Sequence, residues 1–301
     1  MIHIMLEIMQ TIKLNKKHLI PILFLLPILF IHVLVIVGPA IGSLYYSLTE
    51  WSGIGKADFI GIDNFKEILT GDKLFRKAIT HNFQWIGFCS LSFIMGLGVA
   101  TLISSLKKHT MVIRAVLFIP YVLPAVVVAN IWQNLLDPDL GFPSILLNMG
   151  FSIFDKALLG NASTALFTIF FVSNWRWWVF LMILLLAALQ NVPDELYESA
   201  RLDGANSVQS FFYITIPGIR PTLVFLILMV CIWTFQVFDY VRILTDGSPA
   251  GATEVLGTLV YKHAFKRLEV GYASAMGLTM SFVSGIFISL FLILKKAGWD
   301  I

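Results

Sequence analysis

Runs of apolar residues that contain no Asp, Glu, Lys or Arg set the frame of this chain. Five are long and unbroken, His18–Thr49, Ala78–Leu106, Ala115–Leu136, Pro221–Phe238 and Val270–Leu294, and a sixth, Ala157–Pro193, is interrupted only by Arg176. A hydrocarbon layer roughly 30 Å thick takes about 20 helical residues at 1.5 Å each. The pattern therefore predicts six crossings, near 19–48, 82–106, 112–136, 163–190, 217–243 and 271–295. The apolar runs do not alternate with polar residues, which favours helices over the strands of a barrel. The expected fold is an all-α membrane protein: a cytoplasmic N-terminal segment, 1–17, then a single six-span domain, 18–301, with a connection at 191–216 between spans four and five.

The first run is too long for the core of a cleaved signal peptide and reads as a retained anchor. An even number of spans leaves both termini on one side of the membrane. Lys13, Lys16 and Lys17 ahead of span one, Lys107, Lys108 and Arg114 around the second connection, and Lys295 and Lys296 at the end put that side in the cytoplasm. Lys56, Lys66, Lys73, Arg76 and Lys77 fall in the outer first connection, but they are mixed there with Glu50, Asp58, Asp63, Glu67 and Asp72.

Small residues recur every fourth position in span two (Ser92, Gly96, Ala100, Ser104) and in span six (Ala273, Gly277, Ser281, Gly285, Ser289). In lipid such stripes let helix backbones approach, and both read as packing seams. Pro120 and Pro124 should bend span three.

Composition narrows the function. Of 301 residues 58% are hydrophobic and 13% charged, the mean hydropathy is +0.84 and the formal net charge is +3. Soluble domains carry about a quarter charged residues, so a cytosolic enzyme is excluded, and the scattered charge suggests no nucleic-acid partner. Cys89 and Cys231 lie inside apolar runs and imply neither a disulfide framework nor a metal cluster. Gly53-Ile-Gly-Lys56-Ala57 lacks the spacing and hydroxyl of a phosphate loop, and no catalytic motif is present.

The most informative segment is Asn191 to Pro217. Pro193, with Asp194 and Glu195 just after it, suits a helix start, because acids complement the positive helix end. Glu198 and Arg201 are spaced to pair, and Gly204 permits a sharp turn before a second short helix. Glu198-Ser199-Ala200, then Gly204, then Ile214-Thr-Ile-Pro217 fit the pattern Glu-Ala-Ala, three residues, Gly, nine residues, Ile-x-Leu-Pro. By this pattern the chain resembles the membrane subunits of binding-protein-dependent ABC importers, with Ser199 and Ile216 as conservative departures. Ser43–Trp51, Phe59–Phe65, Phe118–Pro124, Trp132–Gly141 and Leu244–Glu254 extend the resemblance to the sugar-importer branch.

The resemblance implies the type I permease fold and a coupling helix that docks on a separate ATPase, carried here by Glu198, Ser199, Ala200, Asp203, Gly204, Ile214 and Pro217. It implies a second permease subunit that is a different chain, two ATP-binding subunits and an extracytoplasmic solute-binding protein, in a bacterial or archaeal inner membrane. ATP and magnesium would sit on the partner ATPase, with no cofactor in this chain. The solute path is sought among mid-span polar and aromatic side chains, Tyr121, Asn174, Trp177, Trp233, Thr234 and Gln236, because sugars combine stacking with hydrogen bonds. Arg176 and Asp239 are the charges inside predicted spans, where such groups face a cavity or a partner. Their predicted depths differ by about 13 Å, which argues against a direct bridge; Arg176 either faces the path or a partner, or is a buried cation bonded to carbonyls. The competing readings are an ion-coupled secondary transporter, a glycerol-phosphate-type solute for the same machinery, and a membrane scaffold without transport.

Overall fold

The computed structural model describes residues 16–106, 110–151 and 157–296. Lys13, Lys107 and Lys108 of the charge argument, and most of the N-terminal segment, lie outside the described residues. Helix α1, Lys16–His32, continues through a π-helical turn at Val33–Val37 into α2, Gly38–Tyr46. Two short strands, β1 Thr49–Glu50 and β2 Asp58–Phe59, pair antiparallel and lead to α3, Asp63–Lys66. Then come α4 Lys73–Ser105, α5 Thr110–Val122, α6 Ala125–Leu135, α7 Phe142–Asn148 and α8 Ala165–Leu189. The segment after α8 forms α9 Asp194–Leu202 and α10 Ser207–Ser210. The chain closes with α11 Arg220–Phe235, α12 Asp239–Leu244, α13 Leu256–Tyr261 and α14 Val270–Lys296.

Five of these stretches are long and apolar enough to cross a membrane, and the bent pair α5 and α6 makes a sixth if counted as one span. Helix α8 is the hub: 56% of its most apolar window is buried, against 0% for Leu23–Tyr46. It packs along α4, where Gly96 lets the two backbones close up, an added Cβ there lying 3.1 Å from the Met182 nitrogen and 3.2 Å from the Trp178 carbonyl. This seam uses Ser92, Gly96 and Ala100, while Ser104 is exposed. In α14 the expected seam stops early. Ala273 is buried and Gly271 abuts Thr49, but nothing lies within 4 Å of a Cβ added at Gly277 or Gly285, and further along the helix it is Met280, Val283 and Phe287 that pack on the core.

Three spans depart from their expected form. Helix α4 starts nine residues before the predicted span, because Asp72 caps it, its Oδ1 accepting from Leu74 N and Phe75 N at 2.8 Å. Span three is broken rather than bent: α5 and α6 meet at 88°. Pro124, at φ −57° and ψ 145°, opens α6, whereas Pro120 stays inside α5. Span five stops at Phe235 and restarts at Asp239. The cause of that break is the fully buried Asn82 of α4. Its Nδ2 donates to the Thr234 carbonyl at 2.6 Å, the acceptor that a continuing helix would offer to residue 238. The same side chain accepts from Leu256 N at 3.0 Å, tying α13 to the break.

Candidate transport cavity and elbow

Where α4, α8 and the break between α11 and α12 converge, they enclose a cavity of about 310 Å³. Helix α8 contributes Asn174, Arg176 and Trp177, and the broken span contributes Trp233, Thr234, Gln236 and Asp239. Seven of the eight intramembrane residues selected from sequence thus meet at one site. Tyr121 does not line it. The Tyr121 ring lies behind the wall, stacked on Phe180 at 5.5 Å and 20° and set edge-on to Trp177 at 6.2 Å. Its backbone carbonyl accepts from Arg176 Nε at 3.1 Å, and the guanidinium carbon lies 5.2 Å from the ring centre. Arg176 therefore combines both sequence readings, bonded to a carbonyl and facing the cavity. No ion pair joins it to Asp239 among the described residues.

The lining alternates aromatic surface with hydrogen-bonding groups. Trp177 and Trp233 lie 5.1 Å apart at 44°. Asn174 is buried, accepting from the Ser92 hydroxyl and donating to Met95 Sδ at 3.5 Å. Thr234 is spent on its own helix, donating to the Val230 carbonyl at 2.7 Å. Gln236 and Asp239 are exposed at the break. Trp85, Cys89, Phe170, Ser173 and Tyr240 also line the cavity and escaped the sequence reading. A signal existed for some of them: Trp85, Cys89 and Ser92 recur at helical spacing on the face of α4 that carries the seam.

The end of the broken span away from the elbow is held by charge. Lys262 Nζ donates to Glu254 Oε2 at 2.5 Å and to the Asp246 carbonyl at 2.7 Å, while the Thr258 hydroxyl donates to Glu254 Oε1 at 2.7 Å. Asp246 Oδ2 meets Arg242 at 2.9 Å and Lys266 at 2.8 Å. Burial alone would raise the Asp246 pKa, but the Lys266 hydrogen bond and the charges of Lys262, Arg242 and Lys266 outweigh it and hold the carboxyl below its usual range. A depressed carboxyl stabilises the fold while ionised and loses that contribution as pH falls through its folded value. Melting followed between about pH 5 and pH 3 is expected to show Asp246→Asn losing less stability on acidification than the parent chain.

At the opposite end of α8 lies the elbow. Pro193 caps α9, Gly204 turns the chain at φ +81°, and Asn206 and Gln209 form a capping box on α10. Glu198, Ser199, Asp203, Gly204 and Pro217 are exposed, and Ala200 and Ile214 half-buried. Glu198 and Arg201 form no ion pair, both side chains pointing into open surroundings. Leu202 is 90% exposed, and Val208, Phe212 and Tyr213 are also uncovered. Tyr197 anchors the elbow inward, its hydroxyl 3.0 Å from that of Thr215.

A bundle of apolar helices around a polar, aromatic-lined cavity, with an exposed elbow at one end, defines the membrane-spanning subunit of a transporter. The chain belongs to the family of binding-protein-dependent transport system inner membrane components, which residues 91–297 match. It is 35% identical over 87% of its length to the probable ABC transporter permease protein YurN of Bacillus subtilis, covering 91% of that protein. It is 32% identical over 87% of its length to the multiple sugar-binding transport system permease protein MsmF of Streptococcus mutans, covering 90% of it. The fold matches that of a bacterial ABC transporter involved in the import of the acidic polysaccharide alginate, with a TM-score of 0.81, 23% identity, and coverage of 95% of this chain and 98% of that one. The chain is therefore a multi-pass permease subunit of a binding-protein-dependent importer, with the helical fold of type I ABC importer permeases.

Proposed function

We propose that this permease imports a carbohydrate and takes its driving force from separate ATPase subunits docked at the elbow. The observation that carries the solute class is the pairing of Trp177 and Trp233 with amide and hydroxyl groups around one cavity, since flat aromatic faces stack on sugar rings while amides bond their hydroxyls. Relatives named for sugars support the same class, among them MsmF and the trehalose/maltose permease MalF of Thermococcus litoralis, which is 30% identical over 92% of this chain.

In this reading ATP and magnesium belong to the partner ATPases, and Glu198, Ser199, Ala200, Asp203, Gly204, Ile214 and Pro217 form the contact that transmits their closure. Both termini and the elbow face the cytoplasm. A second permease, a different chain, completes the pathway, and an extracytoplasmic binding protein delivers the solute. Closure of the ATPases draws the elbows together and tips the permeases between inward-facing and outward-facing states.

The test uses the complete importer in vesicles. Uptake of labelled sugar is expected to require ATP and the binding protein and to be indifferent to an imposed ion gradient. Glu198→Lys and Gly204→Val are expected to cut uptake at least about tenfold and weaken ATPase co-purification, since a bulky residue at φ > 0 costs about 1–2 kcal/mol before it meets any partner. Wild-type uptake in both variants overturns the elbow assignment, and uptake driven by an ion gradient alone overturns the mechanism.

A further inference from the structure

Resting on the carbohydrate reading above, we infer that the cavity selects a sugar bearing an oxyanion, a carboxylate or a phosphate, which the Arg176 guanidinium and the Tyr240 hydroxyl bind together while the sugar ring stacks on Trp177 and Trp233. Two independent observations meet here. Arg176 lines the cavity and is held in place by its Nε bond to the Tyr121 carbonyl and by the Tyr121 and Trp177 rings, 5.2 and 6.0 Å from its guanidinium carbon. That bond occupies Nε, the Tyr240 hydroxyl is the other polar neighbour, and no carboxylate of the described chain pairs with the cation. Tyr240 lines the same cavity, is only 5% exposed, and its hydroxyl lies beside the Arg176 guanidinium with no acceptor for its own proton.

A buried phenol whose O–H finds no acceptor, set beside a guanidinium without a counter-charge, leaves both groups complementary to one ligand. Both present N–H or O–H donors, so the group they suit is rich in acceptor oxygens. Charge decides between a neutral hydroxyl and an oxyanion, because only the oxyanion neutralises a cation held at low dielectric and accepts the planar fork of an arginine at two oxygens. Asp239 lines the cavity too, but it sits exposed at the start of α12 and leaves the cation unpaired. The Arg176 guanidinium carbon lies 6.0 Å from the Trp177 ring centre and both side chains line the cavity, which puts the charge beside the stacking surface, as an acidic substituent on a stacked ring requires.

The experiment measures binding to the detergent-purified importer without its binding protein, so that the cavity alone discriminates, read by the fluorescence of the lining tryptophans. The probes are two matched pairs: trigalacturonate against maltotriose, and glucose 6-phosphate against glucose. In at least one pair the acidic member is expected to bind about tenfold tighter or more, and which pair does so separates carboxylate from phosphate. Arg176→Gln is expected to bring that ratio to within about twofold and Tyr240→Phe to lower it severalfold, while rising salt erodes it in the parent protein. Should Arg176→Gln not assemble, Tyr240→Phe and the salt series decide. Equal or tighter binding of the neutral member in both pairs overturns the inference and leaves the carbohydrate reading standing. Binding of none of the four probes overturns both.

Discussion

Lys262→Met is expected to be among the most destabilising single substitutions at the end of the bundle away from the elbow. The Glu254 side chain is 3% exposed, and its Oε2 has the Lys262 ammonium 2.5 Å away. Without that ammonium the carboxylate keeps the Thr258 hydroxyl but loses its counter-charge in a site that excludes water. Breaking one side of such a pair costs about 3–5 kcal/mol, whereas replacing both partners with uncharged groups of similar volume is often neutral. The double variant Glu254→Gln/Lys262→Met should therefore recover most of the loss. Thermal unfolding in detergent, followed by tryptophan fluorescence across the two single variants and the double, measures the coupling. A Lys262→Met protein that melts with the parent would mean that the pair does not brace the segment joining α12 to α13.

The second large effect is steric. Gly96→Val drives a branched side chain into the seam between α4 and α8, where a Cβ alone would lie 3.1 Å from the Met182 nitrogen, 3.2 Å from the Trp178 carbonyl and 3.3 Å from Leu181 Cβ. Two of those neighbours are helix backbone, which cannot rotate away. Overpacking of this kind costs about 1–3 kcal/mol, and the upper end is expected because the seam belongs to the central helix. Gly98 provides the control two residues away: nothing lies within 4 Å of its added Cβ. Gly98→Val should melt with the parent, whereas Gly96→Val should melt lower and yield less monodisperse protein. Equal behaviour of the two would deny that α4 and α8 meet at this register.

Much of this architecture is legible in the chain because lipid imposes one dominant rule, a long apolar run for each crossing. Spans four and six, expected at 163–190 and 271–295, are α8 Ala165–Leu189 and α14 Val270–Lys296. What escaped depends on contacts distant in sequence. No proline or glycine marks the break after Phe235; an asparagine about 150 residues earlier captures the carbonyl the helix needs. The start of α4 was hidden because Lys73, Arg76 and Lys77 make its first turns look like loop, although Asp72 carried the capping signal.

The cavity shows the same division. Asn174, Trp177, Trp233, Thr234 and Gln236 stood out as polar or aromatic positions in apolar runs, and the fold brings them together. Ser92 belongs to the small-residue stripe, and its hydroxyl also bonds Asn174 at the cavity wall, so a packing stripe and a cavity lining share one helix face. Tyr240 carries no local signal, since its meaning lies in a hydroxyl that only the fold sets beside Arg176 with no acceptor for its proton. Tyr121 shows the converse, a conspicuous ring that serves as backing for other rings.

Helix α8 runs unbroken for 25 residues, about 37 Å at 1.5 Å each. Val192 just beyond its end, together with Tyr197 and Ile214 of the elbow, belongs to the same packed cluster as Leu181, Met182 and Leu185. Tissue this dense yields very little under compression. A push on Tyr197 therefore reaches Leu181, at the cavity rim, through closely packed side chains, and the unwound corners at Leu123–Pro124 and at 236–238 are places beside that cluster where a span can bend.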